Sequence, residues 1–583
     1  MDNLTKIAGG YFNSLLTPPD RLGNLVFFSF GRKGPTEHHF AQHVSAKYKE
    51  ICISSEISIL KIAHTESATV KEFHDQHGRF SGIIWGIAHD RQTGSEEVAI
   101  ENCIRAIEKK SYDILNDIAG LFVFIILDRH ENKLYIINDY IGARPFFIYM
   151  NNGIMNGSSH ALALANILPR PLKPNYDAVS EYLIFTINVS RNSLVEGINR
   201  PRAGSVTSTY AGSDVVEEVK YNTVTATLPA MGTDDMASLA SEIVERSNRN
   251  WLKHSSKLAY GLSGGYDSRL LCALSLGNQD ASKLYINIRN LPSETVMAQK
   301  VAELLGIPLE VLEFSEDWYL PESRHHITAD GFPISKGLGR LILRHAPDHR
   351  IVDGYLGDAL LRGHLDHIIP SSLNEKDNDE TINTILNRMA GSTMPLLKKH
   401  IRRNVIKRAF TGASNTVKEY NTGCHAVTSF DLFIRQARLI SRNFLQNIDA
   451  CEPCLPFYDP ELIRLKRAYP YADFTIDTYQ AVYKRLAPQL AGMPHNSQLD
   501  TAPPKDHISR NDKKWIRDAL IKSISATQRQ YLDTSYTISG LLLNFYSPKW
   551  SHIMVRLRNI WNVLAICEAN AIHFDWKELE LNI

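Results

Sequence analysis

The chain has 583 residues and a mass of 65.8 kDa, with 44% hydrophobic and 22% charged residues. This ordinary globular composition allows up to about four domains of roughly 150 residues each. Because 64 basic residues face 63 acidic ones, the formal charge is +1, and whole-molecule electrostatics do not favour nucleic acid or an anionic membrane as partners.

The sequence predicts a cytoplasmic protein. No run approaches the roughly 18 to 20 apolar residues needed to cross a bilayer. The first residues lack the basic start, apolar centre and cleavage site of a secretory signal. Seven cysteines are scattered along the chain, which does not suggest a disulfide framework, so we expect reduced thiols.

Up to about residue 215 the pattern predicts short strands separated by turns, with few long helices. Strands are predicted over 26–30, 83–89, 121–127 and 133–138. The last two are joined by a polar turn over 128–132, which is typical of a β-hairpin. The sequence therefore predicts a mainly β first domain over 1–215.

From residue 234 the pattern changes to alternating strands and helices, which predicts a parallel sheet wrapped by helices. The predicted helices cover 236–251, 268–276 and 293–306, and the predicted strands cover 257–262, 284–288, 309–314 and 350–353. The buried face of the third helix is predicted to hold Val296, Met297, Val301, Leu304 and Leu305. We predict a second domain over 234–500 and a helical extension over 501–583, with polar loops at 370–380 and 500–512.

The turn between the first predicted strand of this domain and its following helix reads Tyr260-Gly-Leu-Ser-Gly-Gly-Tyr-Asp-Ser-Arg269. Its adjacent glycines let the backbone approach an anion, two serines offer hydroxyl donors, and the helix start presents N–H groups. This pattern is typical of a pyrophosphate cradle. A carboxylate at Asp267 beside phosphates would repel them unless it held a divalent cation, which implies Mg²⁺.

This turn resembles the S-G-G-x-D-S loop of the asparagine-synthetase-like ATP pyrophosphatases. Segments 121–129 and 139–147 are similar to that family's glutaminase domain, and segments 353–363 and 452–459 to its S-G-E-G-x-D-E-x-x-G-G and E-A-R-V-P-F-L-D motifs. The implied fold is α/β and α+β. It combines an N-terminal glutaminase-like (Ntn-type) β-sandwich with a C-terminal doubly wound parallel-sheet pyrophosphatase domain.

The resemblance implies ATP-dependent activation of a carboxylate, with release of pyrophosphate, followed by attack of an amine to form an amide. It implies ATP and Mg²⁺ as cofactors. Pyrophosphate would be held by Ser263, Gly264, Gly265, Asp267 and Ser268. Adenosine would be contacted by Leu262, Ile288, Asp353 and Gly354, and Mg²⁺ by Asp267 and Asp358. The metal and N–H groups would stabilise charge on the leaving pyrophosphate.

The chain departs from the family at positions that concern the source of the attacking amine. The glutaminase nucleophile of the family is a cysteine at position 2, whereas this chain has Asp2, and a carboxylate cannot replace a thiolate in acyl transfer. We therefore expect an amine that is not drawn from glutamine. Tyr355 stands where the synthetases have glutamate, as in β-lactam-forming relatives. It is either a base for an internal amine, which would need a tuned phenol, or a packing residue.

Two further departures concern cations. The family's charge-neutralising lysine aligns with Gln480, so either Lys484 one turn further on takes that role or Lys484 is a solvated helix charge. Arg269 replaces a second serine and either adds a cation near the phosphates or faces solvent.

Other candidate motifs favour ordinary structural roles. Cys451-x-x-Cys454 lacks a second pair at zinc spacing and is interpreted as packing. Glu452 is interpreted as a positioning carboxylate. The pairs His38-His39 and His364 with His367 are interpreted as surface residues.

The favoured function is a lasso-type macrolactam cyclase, acting on a peptide or small-molecule carboxylate, with a precursor peptide and its protease as associated partners. One alternative is intermolecular amidation with ammonia or an amino sugar. Another is a non-catalytic nucleotide-binding scaffold. Neither nucleic acid nor a membrane is expected as a partner.

Overall fold

The computed structural model describes residues 25–34, 48–166, 168, 171–224, 228–253, 255–277, 280–289, 292–313, 326–327, 329–331, 333–334, 339–362, 365, 379–390, 397–420, 426–445, 448, 451–469, 473–494, 560, 563–564, 567 and 572–579. Within these residues, none of the helices is both long and apolar enough to span a bilayer. Asp2, the histidines at 38, 39, 364 and 367, the loop at 500–512 and nearly all of the predicted extension over 501–583 lie outside the described residues.

The first part of the chain forms two antiparallel sheets. Their strands are β1 (Val26–Arg32), β2 (Lys49–Ser54), β3 (Ser58–His64), β4 (Val70–His74), β5 (Phe80–Asp90), β6 (Ile118–Asp128), β7 (Lys133–Asn138), β8 (Phe147–Asn151), β9 (Ile154–Ser158), β10 (Ser205–Tyr210) and β11 (Glu217–Lys220). One sheet has the order β2-β3-β1-β9-β8, and the other has the order β11-β10-β7-β6-β5-β4. The predicted strands lie within β1, β5, β6 and β7.

The two sheets pack face to face as a sandwich. Alternate side chains of β1 and β3, such as Phe28 and Ile62, meet Trp85, Val123 and Ile136 from the other sheet in one buried cluster. The predicted β-sandwich is therefore confirmed. Strand β11 pairs with β10, so this sheet extends past the predicted domain boundary at residue 215.

The predicted hairpin joins β6 and β7, with Asp128 opposite Lys133. The Asp128 carboxylate accepts hydrogen bonds from the backbone N–H groups of His130 and Glu131, at 3.0 and 3.2 Å. Asn132 takes a left-handed conformation with φ of 52°. An aspartate at the start and an asparagine at the end are residues that favour such a turn.

The helices are α1 (Glu96–Lys109), α2 (Ala161–Ala165), α3 (Tyr176–Phe185), α4 (Thr233–Leu252), α5 (Tyr266–Ser275), α6 (Pro292–Leu305), α7 (Gly339–His345), α8 (Gly357–Leu361), α9 (Asp379–Ala390), α10 (Lys399–Tyr420), α11 (Ala426–Phe430), α12 (Arg442–Leu445), α13 (Pro460–Ala468) and α14 (Ile476–Leu486). A π-helix covers Asp431–Ile440. Short 3₁₀ helices cover Tyr112–Asp117, Pro488–Leu490 and Trp576–Leu579.

The expectation of few long helices before residue 215 missed α1, which has 14 residues. Its N-terminus is capped by Ser95, whose side chain accepts a hydrogen bond from the Val98 N–H at 3.2 Å. Only a narrow face, including Ala99 and Cys103, is buried against the sheet. The apolar residues Ala99, Cys103, Ala106 and Ile107 recur at helical spacing on that face, and this signal could have identified the helix.

The parallel sheet consists of β12 (Lys257–Gly261), β13 (Ser282–Arg289), β14 (Leu309–Glu313) and β17 (Arg350–Val352), in the order β14-β13-β12-β17. The two-residue strands β15 (His326–Ile327) and β16 (Pro333–Ile334) form a separate pair. The chain runs from β12 outward through β13 to β14 on one side, and then returns to place β17 on the other side of β12, so the strand order reverses between β12 and β17. Ligands of such sheets bind at the carboxyl ends of the strands beside this switch point.

The predicted buried face of α6 was partly wrong. Met297, Val301 and Leu305 are buried, whereas Val296 is 46% exposed and Leu304 is 55% exposed. Consecutive helical residues lie about 100° apart around the axis, so these two side chains turn away from the sheet. The helix therefore buries a narrower stripe than its composition indicates.

Candidate active site at the parallel-sheet switch point

A cavity of about 430 Å³ opens at the switch point of the parallel sheet. It is lined by Gly261, Ser263, Gly265, Tyr266, Asp267, Ser268, Gly339, Ile342, Ile351, Val352, Asp353, Gly354, Tyr355, Leu356, Asp358, Ala359, Arg435, Gln436 and Ile440. The loops after β12 and β17 supply most of these residues. The structure therefore brings two separate sequence motifs to one site.

The glycine and serine turn leads from β12 into α5. Ser268 Oγ lies 2.9 Å from Ser263 Oγ and accepts a hydrogen bond from the Ser263 N–H at 3.1 Å. Ser263 Oγ in turn accepts from the Gly265 N–H at 3.2 Å. Helix α5 begins at Tyr266, and its N-cap residue Gly265 has no side chain to cap it, so the N–H groups of its first turn are suited to an anion.

Asp267 and Asp358 lie together because two glycines allow a close approach. A Cβ atom on Gly354 would lie 2.7 Å from the Asp267 Cβ, and one on Gly357 would lie 2.4 Å from the Asp267 Oδ1. The Asp358 N–H donates to the Asp267 Oδ2 at 3.3 Å. Any larger residue at 354 or 357 would force the loop after β17 away from Asp267.

The carboxylate of Asp267 is electrostatically unfavourable where it stands. Burial and the neighbouring carboxylate of Asp358 raise the pKa of Asp267 well above its ordinary value. The negative charge of Asp358 is offset by Arg362, whose Nη2 lies 2.8 Å from the Asp358 Oδ2. Together the two aspartates form a pair of oxygen ligands that a divalent cation would stabilise.

Tyr479 on α14 is a site residue that the sequence reasoning missed. Its hydroxyl donates a hydrogen bond to Asp267 Oδ1. The ring centroid also lies 5.6 Å from that of Tyr266, which follows the glycine turn, with the two ring planes tilted by 57°. The neighbouring Gln480 had been singled out by its alignment, but only the orientation of α14 shows that the adjacent tyrosine is the residue facing the site.

The π-helix also lines the cavity, through Arg435, Gln436 and Ile440. Arg435 Nη1 lies 3.3 Å from Asp431 Oδ1, which also accepts a hydrogen bond from Gln436 at 3.3 Å. Among the described residues that line the cavity, Arg435 is the positively charged one. Helices of this type are rare and occur often at functional sites, but no sequence pattern marks them.

The predicted adenosine contacts are divided by the structure. Asp353 and Gly354 line the cavity, whereas Leu262 and Ile288 do not. Of the predicted pyrophosphate contacts, Gly264 does not line it either. Leu262 is buried, and its backbone bonds to β13 through the Ile286 carbonyl at 2.8 Å. The apolar cavity wall is formed instead by Ile342 and Ile351.

Tyr355 lines the cavity but is not tuned as a base. Its ring packs edge to face on Phe444 and Tyr458, with centroids 4.8 and 6.1 Å away. Its hydroxyl has no hydrogen-bond partner among the described residues. Burial, together with the carboxylates of Asp139, Asp431 and Asp353, raises its pKa well above the ordinary value, which disfavours the phenolate. A role for Tyr355 in catalysis remains a prediction.

Neither Lys484 nor Arg269, the two predicted cations, lines the cavity. Lys484 is exposed on α14 and does not line the cavity. Arg269 is fully buried, so of the two alternatives the one in which it faces solvent was wrong. Its Nη2 donates to the Gly264 carbonyl within the turn and to the Pro494 carbonyl at 3.0 Å. Arg269 therefore holds the turn in shape from behind and does not line the cavity.

The segment with the Cys451-x-x-Cys454 motif supports the site. The Cys454 N–H donates to the Ile351 carbonyl at 2.8 Å, and its carbonyl accepts from the Asp353 N–H at 2.9 Å. Cys454 is buried, and burial raises the pKa of its thiol. This segment extends the edge of β17 and positions Asp353.

The antiparallel domain contacts this segment through buried polar groups. Asp139 accepts hydrogen bonds from the Arg144 N–H at 2.8 Å and from the Tyr458 hydroxyl. The Arg144 guanidinium forms a buried ion pair with Glu452, as the interpretation of Glu452 as a positioning carboxylate requires. Burial raises the pKa of Asp139 to about 6. Two of the resemblance segments are thus in direct contact.

Residues 88–221 match the family model described as a glutamine amidotransferase domain. This segment is similar to a glutamine amidotransferase domain. It includes both glutaminase-like segments noted in the sequence, which confirms that part of the resemblance. The match covers less than a quarter of the 583 residues. The chain thus joins antiparallel sheets, part of which match the amidotransferase model, to a parallel α/β region.

Solved structures similar to the chain include a glutamine phosphoribosylpyrophosphate amidotransferase from B. subtilis complexed with ADP and GMP. The identity is 11% and the TM-score 0.22, over 49% of this chain and 65%, just under two thirds, of that one. A second is described as the allosteric regulatory enzyme of purine biosynthesis, with 11% identity and a TM-score of 0.22, over 63% and 79% of the two chains. Among curated proteins no match is found. Likenesses at this level carry no functional conclusion.

Proposed function

We propose that the chain is an ATP-dependent synthetase that adenylates a carboxylate, releases pyrophosphate, and joins the acyl group to an amine. The observation that carries this proposal is the position of the glycine and serine turn beside Asp267 and Asp358, in one open cavity at the switch point. Hydrogen-bond donors for phosphate and a pair of carboxylates at one place suit a nucleoside triphosphate with a divalent cation.

The residues present fit Mg²⁺. Two carboxylates that repel each other, with phosphate oxygens and water as the remaining ligands, are the usual surroundings of this ion. Among the described residues no group of three or more acidic, histidine or cysteine side chains is placed to hold a metal alone, so the nucleotide would complete the site. Asp267 and Asp358 would hold the ion. When bound, it would offset charge on the departing pyrophosphate.

The other residues of the cavity divide the remaining tasks. Ser263, Ser268 and the first-turn N–H groups of α5 would bind the β and γ phosphates. The apolar wall at Ile342 and Ile351 would accept the adenine ring. Arg435 also lines the cavity and would bind the carboxylate that is activated, since a guanidinium forms strong charge-assisted hydrogen bonds with a carboxylate.

The described thiols of the amidotransferase domain do not resemble a glutaminase centre. Cys103 lies in the hydrophobic core, and burial raises its pKa, so the reactive thiolate is disfavoured. Cys52 is exposed on β2, at the edge of its sheet. These positions support an amine that is not drawn from glutamine, such as an amine of the substrate itself.

We favour macrolactam formation within a peptide as the form of this reaction, with a precursor peptide and its protease as partners. An amine on the same molecule needs no separate ammonia source. The competing form joins the acyl group to free ammonia or to an amino sugar. Mass spectrometry separates the two, because cyclisation removes one water from the peptide and adds nothing.

The test is incubation of the full-length protein with ATP, Mg²⁺ and a panel of peptides and small acids, followed by product analysis. We expect AMP and pyrophosphate with a matching acid. Products of ADP and orthophosphate would contradict the proposal, and absence of pyrophosphate exchange into ATP with every acid would favour a non-catalytic scaffold.

The matched variants are Asp267→Asn and Asp348→Asn. We expect the first to lower AMP formation by roughly 10²- to 10³-fold, because it removes half of the carboxylate pair. Asp348 is exposed outside the cavity, so its variant should retain full activity. Equal activity of the two variants would overturn the metal assignment.

A further inference from the structure

A second, much smaller cavity lies where the amidotransferase domain meets the π-helix. Its volume is about 10 Å³, which is room for one water-sized sphere. The π-helix thus serves both cavities, because Arg435 and Gln436 line the nucleotide cavity and Arg438 lines this one.

Three arginines from distant parts of the chain line this small cavity. They are Arg144, Arg200 and Arg438, and their relative exposures are 1%, 8% and 6%. Each carries a buried guanidinium nitrogen without a hydrogen-bond partner among the described residues, namely Arg144 Nη1, Arg200 Nε and Arg438 Nη1. Buried donors are nearly always satisfied, so three unmet donors around one cavity indicate a missing acceptor.

The positive charges around this small cavity also outnumber their carboxylate partners. Arg144 is paired with Glu452. Asp330 is shared by Arg200 at 3.7 Å and Arg442 at 3.9 Å. Arg438 has no ion pair within the described part of the chain. Burial and the positive charges of Arg438 and Arg442 lower the pKa of Arg200 to about 9, against the opposing effects of Asp330 and Asp139.

A water molecule would satisfy only some of these hydrogen-bond donors. A water oxygen offers two lone pairs and no net charge, whereas three charged donors line the cavity. A monatomic anion accepts from all three and offsets the excess positive charge. The cavity has no room for a phosphate, a sulfate or a carboxylate.

We propose that Arg144, Arg200 and Arg438 bind a single small monovalent anion, such as chloride, which ties the amidotransferase domain to the π-helix. The bound ion would hold in place the helix whose other side chains line the nucleotide cavity. This site is separate from the proposed synthetase site and does not depend on that function.

The first test is thermal unfolding of the full-length protein in sodium chloride and in sodium gluconate at equal ionic strength. We expect the midpoint to rise and saturate in chloride by roughly 2 to 4 °C over gluconate, because the ion binds the native state only. Arg438→Gln should lose this difference. Arg403→Gln, on the exposed side of α10, should keep it.

Equal midpoints of the natural protein in the two salts, or equal loss of the difference in both variants, would overturn the proposal. A second measurement needs no variant. Crystals grown in bromide should show an anomalous peak between the three guanidinium groups. A water-sized peak without anomalous signal would show that the cavity holds water instead.

Discussion

Asp267 shows how single contacts decide what a motif residue does. The sequence placed it in the turn predicted to bind phosphate, but its charge depends on Asp358, on the Tyr479 hydroxyl and on the glycines that admit it. Its oxygens accept hydrogen bonds from that phenol and from the Asp358 N–H, and burial beside a second carboxylate raises its pKa, so a cation bound there would stabilise its charge. The same residue without these neighbours would be an ordinary surface aspartate.

The first prediction at this scale concerns Arg435. Arg435→Gln should raise the KM for the acid substrate by roughly ten- to hundredfold, because a charge-assisted hydrogen bond is lost. The KM for ATP should change little, and Arg435→Lys should restore part of the affinity. Steady-state kinetics measure all three, with Arg403→Gln as the control. A change confined to ATP would place Arg435 on the nucleotide instead.

Glu181 is a second residue whose behaviour depends on its surroundings. It is fully buried on α3, and its Oε2 accepts hydrogen bonds from the N–H groups of Val189 and Ser190, both at 2.9 Å. Its Oε1 has no hydrogen-bond partner among the described residues. Burial outweighs the backbone donors and raises its pKa to about 7.

This shift predicts a pH effect on stability. The folded-state pKa lies above the unfolded value, so the stabilising contribution is present below the unfolded pKa and is lost as pH rises through about 7. Relative to Glu181→Gln, the natural protein should lose on the order of 2 to 3 kcal/mol between pH 5 and 8. Denaturant unfolding of both proteins at several pH values measures the difference. A constant difference would contradict the shift.

At the scale of elements, helix α10 owes its position to one glycine. A Cβ atom on Gly412 would lie 2.1 Å from Glu181 Oε1 and 3.2 Å from its Cδ. Glu181 cannot readily move away, since two backbone N–H groups hold its other oxygen. The glycine therefore sets the distance between α10 and α3, although glycine is a poor residue for a helix interior.

Gly412→Ala is accordingly expected to destabilise the protein. In an open helix the change would gain about 1 kcal/mol, but overpacking here should cost roughly 1 to 3 kcal/mol. Asn415→Ala on the exposed side of α10 should be neutral or slightly stabilising. Chemical denaturation compares the two variants. Equal stabilisation by both would show that α10 and α3 do not pack as described.

At the scale of the whole molecule, the two domains are joined by carboxylates in two different environments. Glu452 pairs with Arg144, and its side chain is 5% exposed. Glu461 pairs with Arg91 at 2.5 Å and also with Arg246, and its side chain is 30% exposed. Water and salt reach the second group and not the first.

Removing each charge should therefore have unequal effects. Glu452→Gln should cost about 3 to 5 kcal/mol, since it leaves a buried guanidinium without its partner, and the loss should not depend on salt. Glu461→Gln should cost about 1 kcal/mol or less, and the loss should shrink as salt rises. Unfolding at low and high ionic strength measures both. A similar salt dependence would mean that Glu452 is accessible to solvent.

Much of the architecture followed from local pattern. Strands β7, β12 and β17 and helix α4 lie close to their predicted bounds, because alternation and helical period are properties of adjacent residues. Helix α1 was missed although its apolar residues recur at helical spacing. The exposed positions Val296 and Leu304 were not foreseen, since burial depends on what packs against a helix.

By itself the sequence determined the glycine and serine turn between strand and helix, the alternating strands that form the parallel sheet, and the glutaminase-like segments. Only the tertiary structure decided that Tyr479 and Arg435 face the site, that Lys484 does not, and that three arginines line one small cavity. Hydrogen-bonding turns and periodic faces depend on neighbours along the chain. A residue's partners across hundreds of positions depend on how whole elements are oriented, and no local pattern records that.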